Sequence, residues 1–237
     1  DWSSDVCSSD LGILLLGVPG CGKSLTAKCI ASLWNMPLLR LDIGKVFQGE
    51  VGSSESNIRR AIATAEAVAP CVLWIDEIEK GLSGVQSSGS TDGGTTSRIF
   101  STILTWMQEK ENTVFIVATA NDISRMPPEF LRKGRFDELF FVDLPNGEER
   151  RKILDIHLKK RKKWNKGIDS IALIKETEGF NGADLEAVVK DTIEMAFIDG
   201  KESITTEDLL KSVKDTKSIS STLKDKIKEI KSTIDKI

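Results

Sequence analysis

The sequence predicts an α/β fold, a parallel sheet covered by helices, followed by a small all-α part. Two observations carry this. Five short apolar runs bounded by polar or turn residues alternate with helical periodicity up to Pro145, and such alternation builds a parallel sheet buried on both faces. After Pro145-Asn146-Gly147 every periodic stretch is helical. With 237 residues the chain can bury such a core and still carry a second, smaller domain.

In order, Leu11–Leu16 reads as a strand leading into a glycine-rich turn, and Lys23–Trp34 as a helix. Leu38–Leu41 is a strand, Ser54–Ala69 a helix and Val72–Ile75 a strand. Gly81–Gly94, rich in Ser and Gly, reads as a long flexible loop, and loops of that length are often functional. Thr95–Glu109 puts Ile99, Ile103, Leu104 and Met107 on one helical face, before strands at Val114–Thr119 and Leu139–Val142. Helices follow over about Glu148–Lys163, Ile168–Thr177, Gly182–Ile198, Thr205–Asp215 and Ser220–Lys236. The last carries Leu223, Ile227, Ile230 and Ile234 at near-helical spacing among alternating charges, which suits a docked amphipathic helix or one that binds a partner.

The expected domains are therefore 11–145, the α/β part, and 146–237, the helical part. Residues 1–10 are Ser/Asp-rich, lack an initiator Met and resemble the conceptual translation of a short-read sequencing adapter. We expect them to be a non-native leader, with the native N-terminus missing.

Composition excludes several classes. No apolar run approaches the ~20 residues of a membrane span. Cysteines at 7, 21, 29 and 71 form no C-x-x-C pair and His157 is the only histidine, so zinc and a disulfide framework are poorly supported and a reducing compartment is expected. That means cytoplasm, or plastid stroma in a eukaryote. The net charge of −3 is matched by Asp1, Asp5 and Asp10; the rest of the chain is neutral and gives no case for nucleic acid as partner.

The chemistry begins at Gly17-Val18-Pro19-Gly20-Cys21-Gly22-Lys23-Ser24, which matches G-x-x-x-x-G-K-[ST] between a strand and a helix. Gly17, Gly20 and Gly22 let the backbone turn its N–H groups inward. Lys23 brings a point charge to β/γ-phosphates, and Ser24 offers a hydroxyl to Mg2+ at a helix start whose dipole favours anions. Pro19, Cys21 and Leu25 complete the expected nucleotide-binding set.

Downstream, Cys71-Val72-Leu73-Trp74-Ile75-Asp76-Glu77 is a buried strand ending in two carboxylates, at the sheet edge where ligands bind. Asp76 suits a ligand of Mg2+ and Glu77 a general base for the attacking water. Val114-Phe115-Ile116-Val117-Ala118-Thr119-Ala120-Asn121 is a further strand, expected beside the Asp76 strand. Asn121 either hydrogen-bonds the γ-phosphate or lytic water, or caps an Asx turn. Phe130-Leu131-Arg132-Lys133-Gly134-Arg135-Phe136-Asp137 sets two arginines three apart. They either pair with Asp137 or Glu138, or act as arginine fingers on phosphates.

These segments, in this order, with Gly179-Phe180-Asn181-Gly182-Ala183-Asp184-Leu185 in the helical part, resemble the AAA ATPases from Leu11 to about Asp215. The wording of Leu14-Leu15-Leu16-Gly17-Val18-Pro19-Gly20-Cys21-Gly22-Lys23-Ser24 and of Leu104-Thr105-Trp106-Met107-Gln108-Glu109-Lys110 is similar to an uncharacterised AAA family of plastid and cyanobacterial genomes. The resemblance implies a P-loop NTPase domain and a helical lid, assembled as a ring, usually a hexamer, with ATP and Mg2+ at subunit junctions. It implies that Lys23, Ser24, Asp76, Glu77 and Asn121 act in cis, whereas Arg132 and Arg135 reach a neighbour's ATP. It also places His157 near the adenine and Gly182 and Ala183 beside the base and ribose.

One departure is expected to matter. At the pore loop, where remodelling members present aromatic-hydrophobic-glycine, this chain reads Glu50-Val51-Gly52, with Phe47 three residues earlier. The expected function is Mg-dependent ATP hydrolysis by a ring-forming remodeller of an unknown protein client. The alternative is a nucleotide-gated assembly switch that threads no polypeptide.

Overall fold

The computed structural model describes residues 12–46, 53–80, 92–122, 136–163, 165 and 167–234. They form two compact units. The first holds residues 12–17, 23–142 and 232–234, the second 18–22 and 143–231.

The first unit is built on strands β1 (Gly12–Gly17), β2 (Leu38–Asp42), β3 (Cys71–Asp76), β4 (Val114–Ala120) and β5 (Glu138–Val142). They form one sheet in the order β2-β3-β4-β1-β5, every pair parallel. The expected neighbourhood of β3 and β4 is present, with Ile75 opposite Ala118.

The apolar runs are continuous rather than alternating because both faces are covered. Successive side chains on a strand point to opposite faces. Leu14 and Leu16, Leu73 and Ile75, and Ile116 and Ala118 enter one core cluster, with Ile58, Ile99, Ile103 and Met107 from helices α3 (Ser53–Val68) and α4 (Asp92–Glu109). Leu15, Val72, Trp74 and Val117 enter the other, with Ala27 and Ala31 of α1 (Lys23–Leu33). Each fully buried Leu or Ile contributes about 1.5–3 kcal/mol. A short helix, α2 (Ile43–Val46), was not expected from the sequence.

Two element boundaries correct the sequence reading. Helix α4 starts at Asp92, so Gly93 and Gly94 are helical and the expected loop ends earlier; residues 81–91 lie outside the described set. Helix propensity is a weak prior that tertiary context overrides. The expected final helix is divided into α9 (Ile219–Thr222) and α10 (Lys224–Ile234). Here the hydroxyls of Ser221 and Thr222 both donate to the Ser218 carbonyl. Such local side-chain bonds compete with a continuous helical ladder.

The second unit packs α5 (Gly147–Lys160), α6 (Ser170–Glu176), α7 (Gly182–Ile198) and α8 (Thr206–Asp215) around Leu154, Leu158, Leu173, Leu185, Val189 and Leu209. Asn146, Asp169, Asn181 and Thr205 cap the four N-termini through their side-chain oxygens. Buried Arg150 is compensated by carbonyl dipoles, donating to Pro145 O at 3.0 Å and Ile174 O at 2.9 Å. By compactness this unit holds residues 18–22 as well as 143–231.

Candidate functional site

In the first unit, parallel register brings the carboxyl ends of β1, β4 and β3 side by side. Gly17, Asp76 and Asn121 consequently emerge at one edge. Lys23 opens α1, is 6% exposed, and donates from Nζ to the Gly17 carbonyl at 2.8 Å. Ser24 Oγ lies 3.4 Å from Asp76 Oδ1.

A single hydroxyl then ties the two carboxylate residues together. Thr119 Oγ1 donates to Asp76 Oδ1 at 3.0 Å and accepts the backbone N–H of Glu77 at 3.0 Å. Glu77 sits at φ +49°, a left-handed conformation that costs a non-glycine residue free energy and clusters at functional sites. Its carboxylate accepts from Asn121 Nδ2 at 3.2 Å and pairs with Lys80 Nζ at 2.5 Å. The other oxygen of Asp76 pairs with Arg40 at 2.7 Å, and that guanidinium lies 4.7 Å from the centre of the Trp74 ring.

Behind these groups lies Glu79, buried and accepting the Asn121 backbone N–H at 3.0 Å. Burial pushes its carboxyl above the ordinary range, while the hydrogen bond from Asn121 opposes the shift. Among the described residues no three His, Cys, Asp or Glu side chains gather into a metal cage. Mg2+ does not require one: it takes one or two protein oxygens and completes its shell with water and phosphate. The Ser24 hydroxyl and Asp76 carboxylate fit that demand.

In the second unit, the segment 18–22 meets the N-terminus of α7. Asn181 Nδ2 donates to Pro19 O at 2.7 Å, and Ala183 N donates to Gly20 O at 3.2 Å. Gly182 and Ala183 are thus packed against the glycine-rich loop. Cys21 is half-buried, with Sγ 3.9 Å from Pro19 O, whereas Leu25 of the first unit is exposed.

His157, on α5, is 3.1 Å from Arg161 through Nδ1 and 3.6 Å from Glu186. A guanidinium only donates, so Nδ1 accepts and the neutral ring keeps its proton on Nε2. Burial lowers the imidazole's pKa first, Arg161 and Lys160 lower it further, and Glu186 opposes them.

Sequence reasoning missed Thr119, Arg40, Glu79 and Asn181. Only Asn181 had a local signal, the Asn-x-x-Asp cap signature before an apolar run. Arg132, Arg135, Phe47 and Glu50 lie outside the described residues. Asp137, named as a salt-bridge partner for the arginines, accepts the Gly12 backbone N–H at 2.8 Å.

A parallel sheet in this order, with a glycine-rich loop after β1 and paired carboxylates after β3, defines a P-loop nucleoside triphosphatase. The model of the ATPase family associated with various cellular activities (AAA) matches residues 13–144, and that of the AAA+ lid domain matches 167–211. The chain belongs to the AAA family, a family of P-loop ATPases. It is 47% identical over 221 residues to an uncharacterized AAA domain-containing protein ycf46 of Guillardia theta, covering 92% of this chain and 43% of that protein. The ycf46 protein of Pyropia yezoensis is 47% identical over 225 residues, 94% of this chain and 45% of its own. A proteasome-activating nucleotidase of Thermococcus onnurineus is 34% identical over 206 residues, 85% and 51% of the two chains. The chain therefore spans about half the length, or less, of these relatives.

Proposed function

We propose that this chain hydrolyses ATP with Mg2+ as the motor part of a ring-forming, hexameric remodeller of a protein client. The observation that carries the reading is the Ser24–Asp76–Thr119–Glu77–Asn121 network, built around one strand edge beside buried Lys23. Lys23 Nζ donates to the neutral Gly17 carbonyl, and a charged phosphate is the stronger acceptor for the same ammonium. Pro19, Gly20, Cys21, Gly22 and Leu25, and in the helical part His157, Gly182 and Ala183, are assigned to nucleotide binding, as the family resemblance implies.

Ser24 and Asp76 would hold Mg2+, which would supply positive charge beside the phosphates. Glu77 takes the proton of the attacking water, and Asn121 holds the Glu77 carboxylate through Nδ2. Lys80 pairs with the other carboxylate oxygen, Oε2, and must yield that ion pair for Oε2 to take the proton. Arg132 and Arg135 serve a neighbouring subunit's phosphates, as the family resemblance implies.

Likeness to a relative named for activating a proteasome supports a protein client. Glu50 at the pore-loop position instead favours an assembly switch without threading. The cysteine pattern supports a reducing compartment, cytoplasm or plastid stroma.

Equilibrium ATP binding and steady-state hydrolysis test the core of this. Lys23→Ala removes a ground-state phosphate contact and is expected to abolish binding. Glu77→Gln removes a base used only in the transition state and is expected to keep binding while losing at least about a hundredfold in turnover. Near-normal turnover by Glu77→Gln would overturn the assignment.

A further inference from the structure

We propose that Asn181 is a positioning residue for the phosphate site, fixing two loop peptide planes so that their N–H groups face the anion. The proposal rests on the nucleotide reading above and adds a residue that no motif in it assigns.

Asn181 is 2% exposed and uses both ends of its amide. Oδ1 accepts the Asp184 N–H at 2.7 Å, which is an ordinary helix cap. Nδ2 donates to Pro19 O at 2.7 Å, across 162 residues of chain, and capping α7 does not require that bond. Two positions on, the Ala183 N–H donates to Gly20 O at 3.2 Å. Two successive loop carbonyls are thereby turned toward α7.

A trans peptide is planar, with C=O and N–H pointing in opposite directions. The N–H groups of Gly20 and Cys21 therefore point away from α7, and successive N–H groups on one side make the concavity that receives phosphate oxygens. The approach is as close as the residues allow. Gly20 is at φ +76°, where a Cβ would run into the Asn181 side chain, and a Cβ on Gly182 would sit 3.0 Å from Gly20 O. Serine would cap α7 comparably, but it has a single oxygen where the amide has two separate polar atoms. The clamp is itself anchored: Asp184 Oδ2 accepts the N–H groups of Asn181 at 3.1 Å and of Ile219 at 3.0 Å.

The test uses Asn181→Ser and Asn181→Thr in the full chain, since both keep a capping oxygen, lose the amide donor to Pro19 and add no charge beside the anion. Affinities for ATP, tripolyphosphate and adenosine are measured together with Tm in the absence of ligand. Both variants are expected to bind ATP and tripolyphosphate about tenfold more weakly, with adenosine changed less than about twofold, the loss of about 1.4 kcal/mol expected for one hydrogen bond. Wild-type ATP affinity in either variant overturns the proposal. So does an equal loss for adenosine, which marks general loosening of the fold. Should the Ser variant unfold, the Thr variant, a comparable uncharged cap, decides. Lys23→Ala serves as reference: if it too binds ATP normally, the nucleotide reading fails, whereas normal binding by the Asn181 variants alone removes only the clamp.

Discussion

Thr119 is 1% exposed and serves two partners at once, the Asp76 carboxylate and the Glu77 backbone. Replacing it by Val keeps the shape and the β-branching but removes the acceptor of the Glu77 N–H and one of the donors to Asp76, and losing a partner in a partly buried site costs about 1–3 kcal/mol. On the proposed mechanism Thr119→Val is expected to lower Tm and to reduce kcat more than it raises KM, because Glu77 would act in the transition state. Thr119→Ser, which restores the hydroxyl, is expected to recover most of the rate. Thermal melts with Michaelis–Menten analysis of both variants check this, and a Val variant with unchanged kcat would show that the hydroxyl does not align the pair. At this scale the sequence displayed the chemistry of Lys23, Ser24, Asp76 and Glu77 because their motifs are contiguous. Thr119 and Arg40 carried no signal, since a strand threonine or arginine meets Asp76 only once the register of β2, β3 and β4 is set.

Helix ends are where the elements are most legible. Thr205 and Asp208 cap α8 reciprocally: the Thr205 hydroxyl accepts the Asp208 N–H at 3.3 Å, and Asp208 Oδ2 accepts the Thr205 N–H at 2.9 Å. Lys201 pairs with the other Asp208 oxygen at 2.5 Å. The ion pair with Lys201, followed by the bonds from Thr205, lowers the Asp208 carboxyl from 3.8 to about 2. A carboxyl held below its unfolded value contributes stability above that unfolded value and loses it as pH falls toward the folded one. Asp208→Asn is therefore expected to lower Tm at neutral pH, with the gap to wild type closing between about pH 4 and pH 2. A gap independent of pH in melts across that range would assign the effect to the cap alone. The same local chemistry misled at the C-terminus, where amphipathic spacing read as one helix and the Ser218 carbonyl, taken by two hydroxyls, accompanies a break.

For the whole molecule, the proposed ring makes a prediction no single chain can satisfy. Arg132→Ala and Arg135→Ala are each expected to bind ATP normally and hydrolyse it poorly, because charge developing in the transition state goes unstabilised. Mixing either variant with Glu77→Gln, under conditions of subunit exchange, is expected to restore part of the activity at junctions that combine an intact Glu77 with intact arginines. Steady-state hydrolysis of the mixture is the measurement; a mixture as inactive as its components would exclude a shared site. Glu50→Tyr belongs to the same scale and asks whether a pore aromatic adds substrate unfolding to the wild-type behaviour.

The sequence by itself determined the α/β class, the succession of strands and helices, the glycine-rich loop with Lys23 and Ser24, and the Asp76-Glu77 pair. These are properties of neighbouring residues: period, turn chemistry and contiguous motif. Only the tertiary structure decided that Thr119 bridges Asp76 and Glu77, that Arg40 neutralises Asp76, and that Asn181 reaches Pro19. Each of these joins residues far apart in the chain, and such pairings arise from strand register and helix packing, which no local pattern of residues encodes.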